Sequence, residues 1–310
     1  MLQNPASSSE TSPPVGSPPR KRRHRKWPYV VLGVGILIIL AAWIAVSLFA
    51  DDWIANHGKD TAALPATPPF ANARTVVYSQ NLGAWYAPPQ AGQPTVIIVH
   101  GYGANRTDHA AVGVALQQHG YGVMAIDLGY ESSGPKYGGG SREARDVEAA
   151  VAYAHAQGST HVVLLGYSAG GTESVLAASN GGGVNAVVAD SSPVSFIHLA
   201  SDRVGIPTWL FTPASWFYGS FSSGGSLGSL SSVPTTYQVP TLVIQGTADK
   251  TVDPSNGPAV AQLTRAHLWT VPGVGHTATY EHCPSAYDAQ LLAFYTAALT
   301  GHAFVLQPAC

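Results

Sequence analysis

Short apolar segments alternate with longer segments of helical periodicity between Arg74 and Thr300. The segment Thr95–His100 is an unbroken, mostly β-branched run, which is typical of a strand buried on both faces. In Arg142–Gln157, by contrast, apolar residues recur at three- and four-residue spacing, which indicates a helix. This alternation predicts an α/β fold with a mostly parallel central sheet and helices on both faces.

The predicted strands and helices place several polar motifs directly after strands. In a parallel sheet, ligands bind beyond the carboxyl ends of the strands, so these motifs mark the candidate site. We predict strands at Arg74–Ser79, Leu82–Ala87, Thr95–His100, Val123–Asp127, His161–Tyr167, Val184–Asp190, Thr241–Gln245 and His267–Val271, and helices at Asp108–His119, Arg142–Gln157, Thr172–Ala178, Gly257–Arg265 and Pro284–Thr300.

The pentapeptide Gly166-Tyr-Ser-Ala-Gly170 lies between a predicted strand and a predicted helix. In that setting G-x-S-x-G forms a nucleophile elbow, a strained turn that presents a serine. Glycines beside the serine let the strand and the helix approach each other. Gly224-Gly-Ser-Leu-Gly228 has the same spacing but lies in a Gly/Ser-rich segment with neither element. We therefore predict Ser168 as the nucleophile, with Ser226 as the alternative.

A serine nucleophile needs a base, and the base needs an acid that orients it. With this elbow the chain order is serine, acid, histidine, so both partners are expected after Ser168. His276 lies in a Gly-rich loop just after a predicted strand, whereas His282 and His302 do not follow strands. We predict His276 as the base.

Three aspartates are candidates for the acid. Asp249 is the first after the strand Thr241–Gln245. Asp253 precedes Pro254 and is expected to cap the following helix, and Asp190 ends an earlier strand. We predict Asp249 as the acid, and keep Asp253 and Asp190 as alternatives.

The oxyanion that forms during attack on a carbonyl needs backbone N–H donors that are already in place. The residue after the nucleophile, Ala169, is expected to supply one donor. The loop His100-Gly-Tyr-Gly103 follows a strand, and its glycines permit an unusual backbone, so Tyr102 is the candidate for the second donor. The alternative for this loop is a plain Gly-rich turn.

The motifs described above resemble, in content and order, those of the α/β-hydrolase superfamily: His100-Gly-Tyr-Gly103, Gly166-Tyr-Ser-Ala-Gly170, Gly246-Thr-Ala-Asp249 and Gly275-His276. The segment Asp127–Gly134 looks like a degenerate form of that superfamily's loop after the fourth strand. The chain is most similar to the serine-hydrolase branch with peptidase S33-like and BEM46-like members, some of which are membrane-anchored.

The resemblance covers about Ala73–Thr300. It implies an α/β-hydrolase fold, attack by Ser168 on an ester or related carbonyl, and an acyl-enzyme released by water that His276 activates.

The long segment Ser191–Val239 breaks the strand–helix alternation and is predicted to be a small lid after the sixth strand. It contains an aromatic cluster that is unfavourable to leave in water; a disordered surface loop is the alternative. The candidate substrate-binding residues are Tyr102, Tyr167, Trp209 and Trp216.

The N-terminal region has the pattern of a membrane anchor. Residues 1–26 are Ser/Pro-rich and end in a basic run, and residues 27–50 carry no charge. Such a span is long enough to cross a bilayer, which takes about 20 residues. A cleaved signal peptide, with a shorter apolar core, is the alternative. We predict a disordered cytoplasmic tail (1–26), a transmembrane signal anchor (27–50), a linker (51–72) and an extracytoplasmic hydrolase domain (73–310).

The two cysteines, Cys283 and Cys310, are too few and too far apart for a zinc site. Outside the cell they are expected either to pair as a disulfide or to remain free thiols. From Trp27 onward, the sequence contains nine basic and sixteen acidic residues. This acidic balance argues against nucleic-acid binding. No cofactor and no metal are indicated.

The sequence is compatible with three functions. The first is an esterase that acts on a small-molecule or lipid-like ester with an apolar acyl group, favoured by the aromatic lid and the anchor. The second is a peptidase or amidase, in which Glu131, Glu173 or Asp202 could hold a free amino end. The third is a catalytically silent binding module.

Overall fold

A computed structural model of the chain describes residues 16, 26–56, 64–129, 137–199, 207–210, 228–307 and 310, with only the backbone for 49–56. The chain divides between Ala42 and Trp43 into two compact units. Residues 1–15 and 17–25, and the segments 200–206 and 211–227 of the predicted lid, which include Ser226, lie outside the described residues.

A single helix, α1, runs from Trp27 to Asn56. Its segment Trp27–Leu48 is long and apolar enough to cross a membrane, and among the described residues it is the one helix that meets this criterion. At 1.5 Å per residue, 22 residues span about 33 Å, against a hydrocarbon layer of about 30 Å. Leu37 and Ile39 are 65% and 69% exposed, unlike the side chains of a buried core helix.

Helix α1 continues through the first six residues of the predicted linker and ends at Asn56. No glycine or proline occurs between Asp51 and Asn56 to interrupt the helix, and the next glycine is Gly58. Residues 57–63 of the predicted linker lie outside the described residues.

The second unit is built on an eight-stranded sheet of order β1-β2-β4-β3-β5-β6-β7-β8. The pairs β1–β2 and β2–β4 are antiparallel, and every other pair is parallel. The strands are β1 Arg74–Ser79, β2 Leu82–Ala87, β3 Thr95–Val99, β4 Gly122–Ile126, β5 Val162–Tyr167, β6 Val184–Asp190, β7 Thr241–Gly246 and β8 His267–Val271. This order and direction confirm the predicted α/β-hydrolase fold.

Helices cover both faces of the sheet. In β3, Ile97 and Val99 join the apolar core on one side, and Val96 and Ile98 join the core on the other. We number the remaining helices α2 Ala110–Gln118, α3 Ser141–Ala156, α4 Ala169–Ser179, α5 Asn256–Thr264, α6 Thr279–His282 and α7 Pro284–Thr300.

The first core is completed by residues of α3, α4 and α5, and the second by residues of α2 and α7. Burial on both faces explains why the central strands are apolar along their whole length. Because strands β3, β5, β6, β7 and β8 run in the same direction, they end at one edge of the sheet. The loops that follow them converge there.

Candidate active site

Ser168 occupies a one-residue turn between β5 and α4. Its backbone has φ 52° and ψ −124°, a conformation that non-glycine residues rarely adopt, and its side chain is 6% exposed. The backbone N–H of Ser168 donates to the carbonyl oxygen of Asp190 at 2.8 Å. Strain of about 1–3 kcal/mol at such a residue persists only where its surroundings hold it in place. Helix α4 begins at Ala169, three residues earlier than predicted, because Ser168 alone makes the turn.

The two glycines of the pentapeptide are required by close backbone approach. A methyl group at Gly166 would overlap the carbonyl oxygen of Gly170 and lie 2.6 Å from the Cα of Gly171. A methyl group at Gly170 would overlap the carbonyl oxygens of Val99 and His100. The turn therefore brings β5, α4 and the end of β3 together at Ser168.

His276 and Asp249 form a pair in the loops that follow β8 and β7. The Nδ1 atom of His276 lies 2.8 Å from Oδ2 of Asp249. The Asp249 side chain is fully buried, whereas that of His276 is 21% exposed. The carboxylate thus fixes one ring nitrogen of His276, and part of the imidazole remains open to solvent.

Asp249 is itself held by backbone donors. Its Oδ1 accepts from the N–H groups of Thr251 and Val252, at 2.8 and 2.9 Å. Burial acts to raise the pKa of Asp249, but the hydrogen bonds from His276, Val252 and Thr251 outweigh it and lower the pKa below its usual value. The acid is therefore an anion at neutral pH, as a group that orients an imidazole must be.

The alternative acids occupy different positions. Asp253 accepts from the N–H of Ser255 at 2.8 Å, just before α5, and is exposed. Asp190 is fully buried, and its carboxylate contacts Ser191 and Tyr287. Among the described contacts, neither carboxylate bonds to His276.

Asp190 anchors a buried network that sequence reasoning missed. Its Oδ1 accepts from the Ser191 hydroxyl at 2.9 Å, and its Oδ2 from the Tyr287 hydroxyl at 2.9 Å. The Tyr287 hydroxyl also lies 3.1 Å from that of Tyr167. Burial raises the pKa of Asp190 to about 6, although the hydrogen bonds from Ser191 and Tyr287 oppose it. Apart from the strand-end position of Asp190, no sequence signal links these residues.

The loop after β3 lies against the nucleophile. A methyl group at Gly101 would lie 3.0 Å from Cβ and 3.6 Å from Oγ of Ser168. Ala169, as the first residue of α4, carries one of the N–H groups that have no acceptor within the helix. The partly buried ring of Tyr102 packs edge-on against Tyr137 and Phe196, with centroids 5.1 and 5.7 Å away.

One of the predicted substrate-binding residues, Tyr167, lies in the core of the sheet. Tyr167 has no exposed surface, because it belongs to a strand buried on both faces and its ring lies under His109. The structure therefore contradicts its predicted contact with substrate. Trp209 lies in a short 3₁₀ helix and is 65% exposed, and Trp216 lies outside the described residues.

His109 is a residue at the site that sequence reasoning also missed. It precedes α2 in the left-handed conformation, φ 59° and ψ 18°. Its ring stacks on Tyr167, with centroids 3.5 Å apart and planes 8° from parallel. Burial lowers the pKa of His109 to about 4; Asp108 acts against this, while His100 and His276 add to it.

Cys283 and Cys310 are joined by a disulfide in the structure, with Cα atoms 5.6 Å apart. The bridge links the residue before α7 to the chain's last residue. Within the described ranges, no group of three or more His, Cys, Asp or Glu side chains is arranged to hold a metal ion.

The fold agrees with comparisons to known proteins. Residues 94–216 match the sequence profile of a family described as the alpha/beta hydrolase fold. The chain is similar to a solved esterase from Pyrococcus furiosus, at 23% identity and a TM-score of 0.60, covering 77% of this chain and 98% of that one. Among curated proteins, none matches it.

Two further solved structures are similar. A thermophilic esterase from Thermogutta terrifontis has 15% identity and a TM-score of 0.55, over 77% of this chain and 97% of that one. A puromycin-hydrolyzing peptidase from Mycobacterium tuberculosis has 19% identity and a TM-score of 0.56, over 78% of this chain and 41% of that one. At such identities the likeness concerns the fold: this is a protein of the α/β-hydrolase fold.

Proposed function

We propose that this protein is a serine hydrolase that cleaves a carboxylic ester through an acyl-enzyme on Ser168. The observation that carries the proposal is the 2.8 Å pair of His276 and Asp249, at the same sheet edge as a serine held in the strained elbow turn. Serine, acid and histidine in this chain order, each at a strand end, are the elements that acyl transfer requires.

In the proposed reaction, Ser168 Oγ attacks the ester carbonyl carbon while its proton passes to Nε2 of His276. The negative charge on the carbonyl oxygen is stabilised by the N–H groups of Ala169 and Tyr102. When the C–O bond breaks, His276 gives the proton to the alcohol. A water molecule then attacks the acyl-enzyme, with His276 taking its proton and returning it to Ser168, and the carboxylic acid leaves.

An apolar acyl group suits the surroundings of the oxyanion loop. Tyr102, Tyr137 and Phe196 bring three aromatic rings together beside that loop, with Tyr137 and Phe196 centroids 4.7 Å apart. Such rings supply apolar surface with few competing polar groups. Several structurally similar proteins are esterases by name, which is in keeping with this chemistry.

A peptidase or amidase, one of the structurally similar proteins being a puromycin-hydrolyzing peptidase, is the alternative. It would need a carboxylate to hold a free amino end. Glu173 is fully buried and bonded to the Tyr137 hydroxyl at 3.0 Å, and burial raises its pKa well above the usual range. An uncharged, enclosed Glu173 is unsuited to that task, which favours the ester; Glu131 and Asp202 lie outside the described residues. A catalytically silent module has no evident need for the His276–Asp249 pair.

A fluorophosphonate probe tests the proposal on the full chain in detergent, beside Ser168→Ala. We expect labelling of the wild type and none of the variant, with Ser174→Ala, a buried serine of α4, as the labelled control. Panels of alkyl esters and of peptide amides then separate the two chemistries. No labelling of folded wild type would favour the silent module, and labelling that survives Ser168→Ala would turn attention to Ser226.

We also propose that residues 27–50 anchor the protein in the cell membrane as a single span, with the basic N-terminus cytoplasmic and the hydrolase domain outside. The length and apolarity of Trp27–Leu48 support this, as does the basic run before it. Protease added to intact cells should degrade the hydrolase domain and spare an N-terminal tag. A free, shortened domain in the medium would indicate a cleaved signal peptide instead.

A further inference from the structure

His109 is held in a conformation that its own backbone disfavours. A positive φ is uncommon among non-glycine residues, although histidine adopts it more often than most, and the φ of His109 is 59°. At the start of a helix a polar side chain usually caps free N–H groups, yet the imidazole of His109 makes no capping hydrogen bond. The backbone strain at His109 is therefore not offset by a capping hydrogen bond to helix α2.

The loop before His109 fixes this conformation. The backbone N–H of Arg106 and its guanidinium both bond to the carboxylate of Asp127, and the guanidinium also lies over the ring of Trp85. Asp108 accepts from the N–H of Asn105 at 2.9 Å. Strain that is over-determined in this way is concentrated at functional positions, so an observed outlier points to a role.

The imidazole has a defined place against β5, the strand that leads into the turn at Ser168. Its ring stacks at 3.5 Å on Tyr167, the residue directly before Ser168. It is partly exposed, and neither of its ring nitrogens has a hydrogen-bond partner in the described part of the chain. With the pKa lowered to about 4, the ring is neutral at pH 7 and carries one donor and one acceptor nitrogen.

The two sides of the site differ in chemistry. The aromatic rings of Tyr102, Tyr137 and Phe196 pack on the apolar core of one sheet face, whereas Tyr167, under His109, belongs to the core of the other face. If the acyl group takes the aromatic side, the alcohol portion of the ester extends toward His109. His276 must reach the alcohol oxygen to protonate it. The positive charge of a protonated His276 acts to lower the pKa of His109.

We propose that His109 is a specificity-determining residue that hydrogen-bonds a hydroxyl group in the alcohol portion of the ester, so that the substrates are esters of diols or polyols rather than of simple alkyl alcohols. This inference rests on the proposed ester hydrolysis. It adds the class of leaving group, which the triad itself leaves open.

Three butanoate-type esters separate the possibilities on the full chain in detergent. Ethyl butanoate has no extra hydroxyl, 2-hydroxyethyl butanoate carries one on the alcohol side, and ethyl 3-hydroxybutanoate carries one on the acyl side. We expect kcat/KM of the wild type to be about tenfold higher for the 2-hydroxyethyl ester than for either ethyl ester, the usual effect of one added hydrogen bond.

Variants of His109 assign that preference. His109→Phe keeps the stack on Tyr167 without nitrogens, and should bring the ratio of the two butanoate esters to about one while changing ethyl butanoate less than threefold. His109→Gly accommodates φ 59° and should also lose the preference, which guards against misfolding of the Phe variant. In His109→Asn, the asparagine tolerates the left-handed backbone, and the variant should keep part of the preference for the 2-hydroxyethyl ester. His119→Phe, exposed at the other end of α2, is the control.

An unchanged ratio in both His109→Phe and His109→Gly, or an equal loss with all three esters, would overturn the inference and leave ester hydrolysis standing. A wild type that cleaves the esters without preference would do the same. If the wild type cleaves no ester and takes up no fluorophosphonate, the proposed function fails, and the role of His109 fails with it.

Discussion

The hydroxyl oxygen of Ser191 accepts a hydrogen bond of 3.0 Å from the backbone N–H of Thr277, the residue after His276. The same hydroxyl donates to Asp190, whose carbonyl oxygen accepts the N–H of Ser168. Both Ser191 and Thr277 have positive φ, 54° and 52°. Asp190 and Ser191 thus connect the nucleophile turn to the histidine loop through buried hydrogen bonds.

Ser191→Ala removes the acceptor for Thr277 and leaves its N–H unpaired. Because alanine keeps Cβ, the backbone strain at φ 54° is unchanged. We expect kcat for an ester to fall about tenfold with little change in KM, since the loop that carries His276 loosens by a hydrogen bond worth about 1 kcal/mol. Ser192→Ala, which removes a neighbouring buried hydroxyl, is the control. Equal losses in the two variants would assign the effect to general packing.

Asp249→Asn tests which aspartate orients His276. An amide cannot hold the imidazole in the required tautomer, and we expect kcat to fall by about 10³-fold or more. Asp253→Asn makes the same substitution four residues on, where the exposed carboxylate accepts from the N–H of Ser255 just before α5, and kcat should stay within about twofold of the wild type. Steady-state kinetics on one ester decides, and a large loss in Asp253→Asn instead would reverse the assignment.

Asp190 should make stability depend on pH. Its pKa is about 6 in the folded protein and about 4 when unfolded. Between these values the folded state keeps a proton that the unfolded state has released, so the free energy of unfolding falls as pH rises. Asp190→Asn removes this contribution, about 3 kcal/mol for a shift of about two units. Urea unfolding at pH 4 and pH 7 measures the free energy of unfolding of both proteins. Relative to the wild type, the variant should become more stable by up to that amount between pH 4 and pH 7. If the difference in stability between the two proteins is the same at both pH values, the prediction is wrong.

Gly166→Ala tests the close approach around the elbow. The added methyl group would meet backbone atoms of Gly170 and Gly171 that cannot move independently. We expect a loss of about 2 kcal/mol or more in the free energy of unfolding, together with loss of fluorophosphonate labelling. Gly182→Ala is the matched control, since nothing lies within 4 Å of its added methyl group. This variant should change the free energy of unfolding by about 0.5 kcal/mol or less.

The disulfide should stabilise the hydrolase domain. Cys283 and Cys310 are 27 residues apart in the sequence, and for a loop of this length loop-closure entropy predicts about 3.5 kcal/mol. We expect a reductant to lower the melting temperature of the wild type but not of Cys283→Ser/Cys310→Ser. If reductant shifts both proteins equally, its effect lies elsewhere.

Local pattern alone was sufficient to predict the strands. The bounds of β1, β2, β6 and β8 agree with prediction, and the other strands differ by about one residue. The central strands β3, β5 and β7 are recognisable as apolar runs because they are buried on both faces. The elbow was equally visible, since the turn needs glycine two positions before and two positions after the serine. The helix α1 was predicted, but its end was not, because no residue near Asp51 marks a stop.

The residues that complete the site came from distant parts of the chain. Asp190 and Tyr287 are 97 residues apart, and Ser191 and Thr277 are 86 apart. Tyr167 was predicted to touch the substrate, yet the strand's alternation turns it inward, where it supports His109.

The sequence by itself therefore determined the fold class, the elbow and the candidate triad, because each depends on neighbours within a few residues. Only the tertiary structure decided which carboxylate meets His276, which buried groups support the loops, and that His109 stacks on Tyr167. Those choices depend on how eight strands align at one sheet edge, and the packing that aligns them leaves no mark in the spacing of residues along the chain.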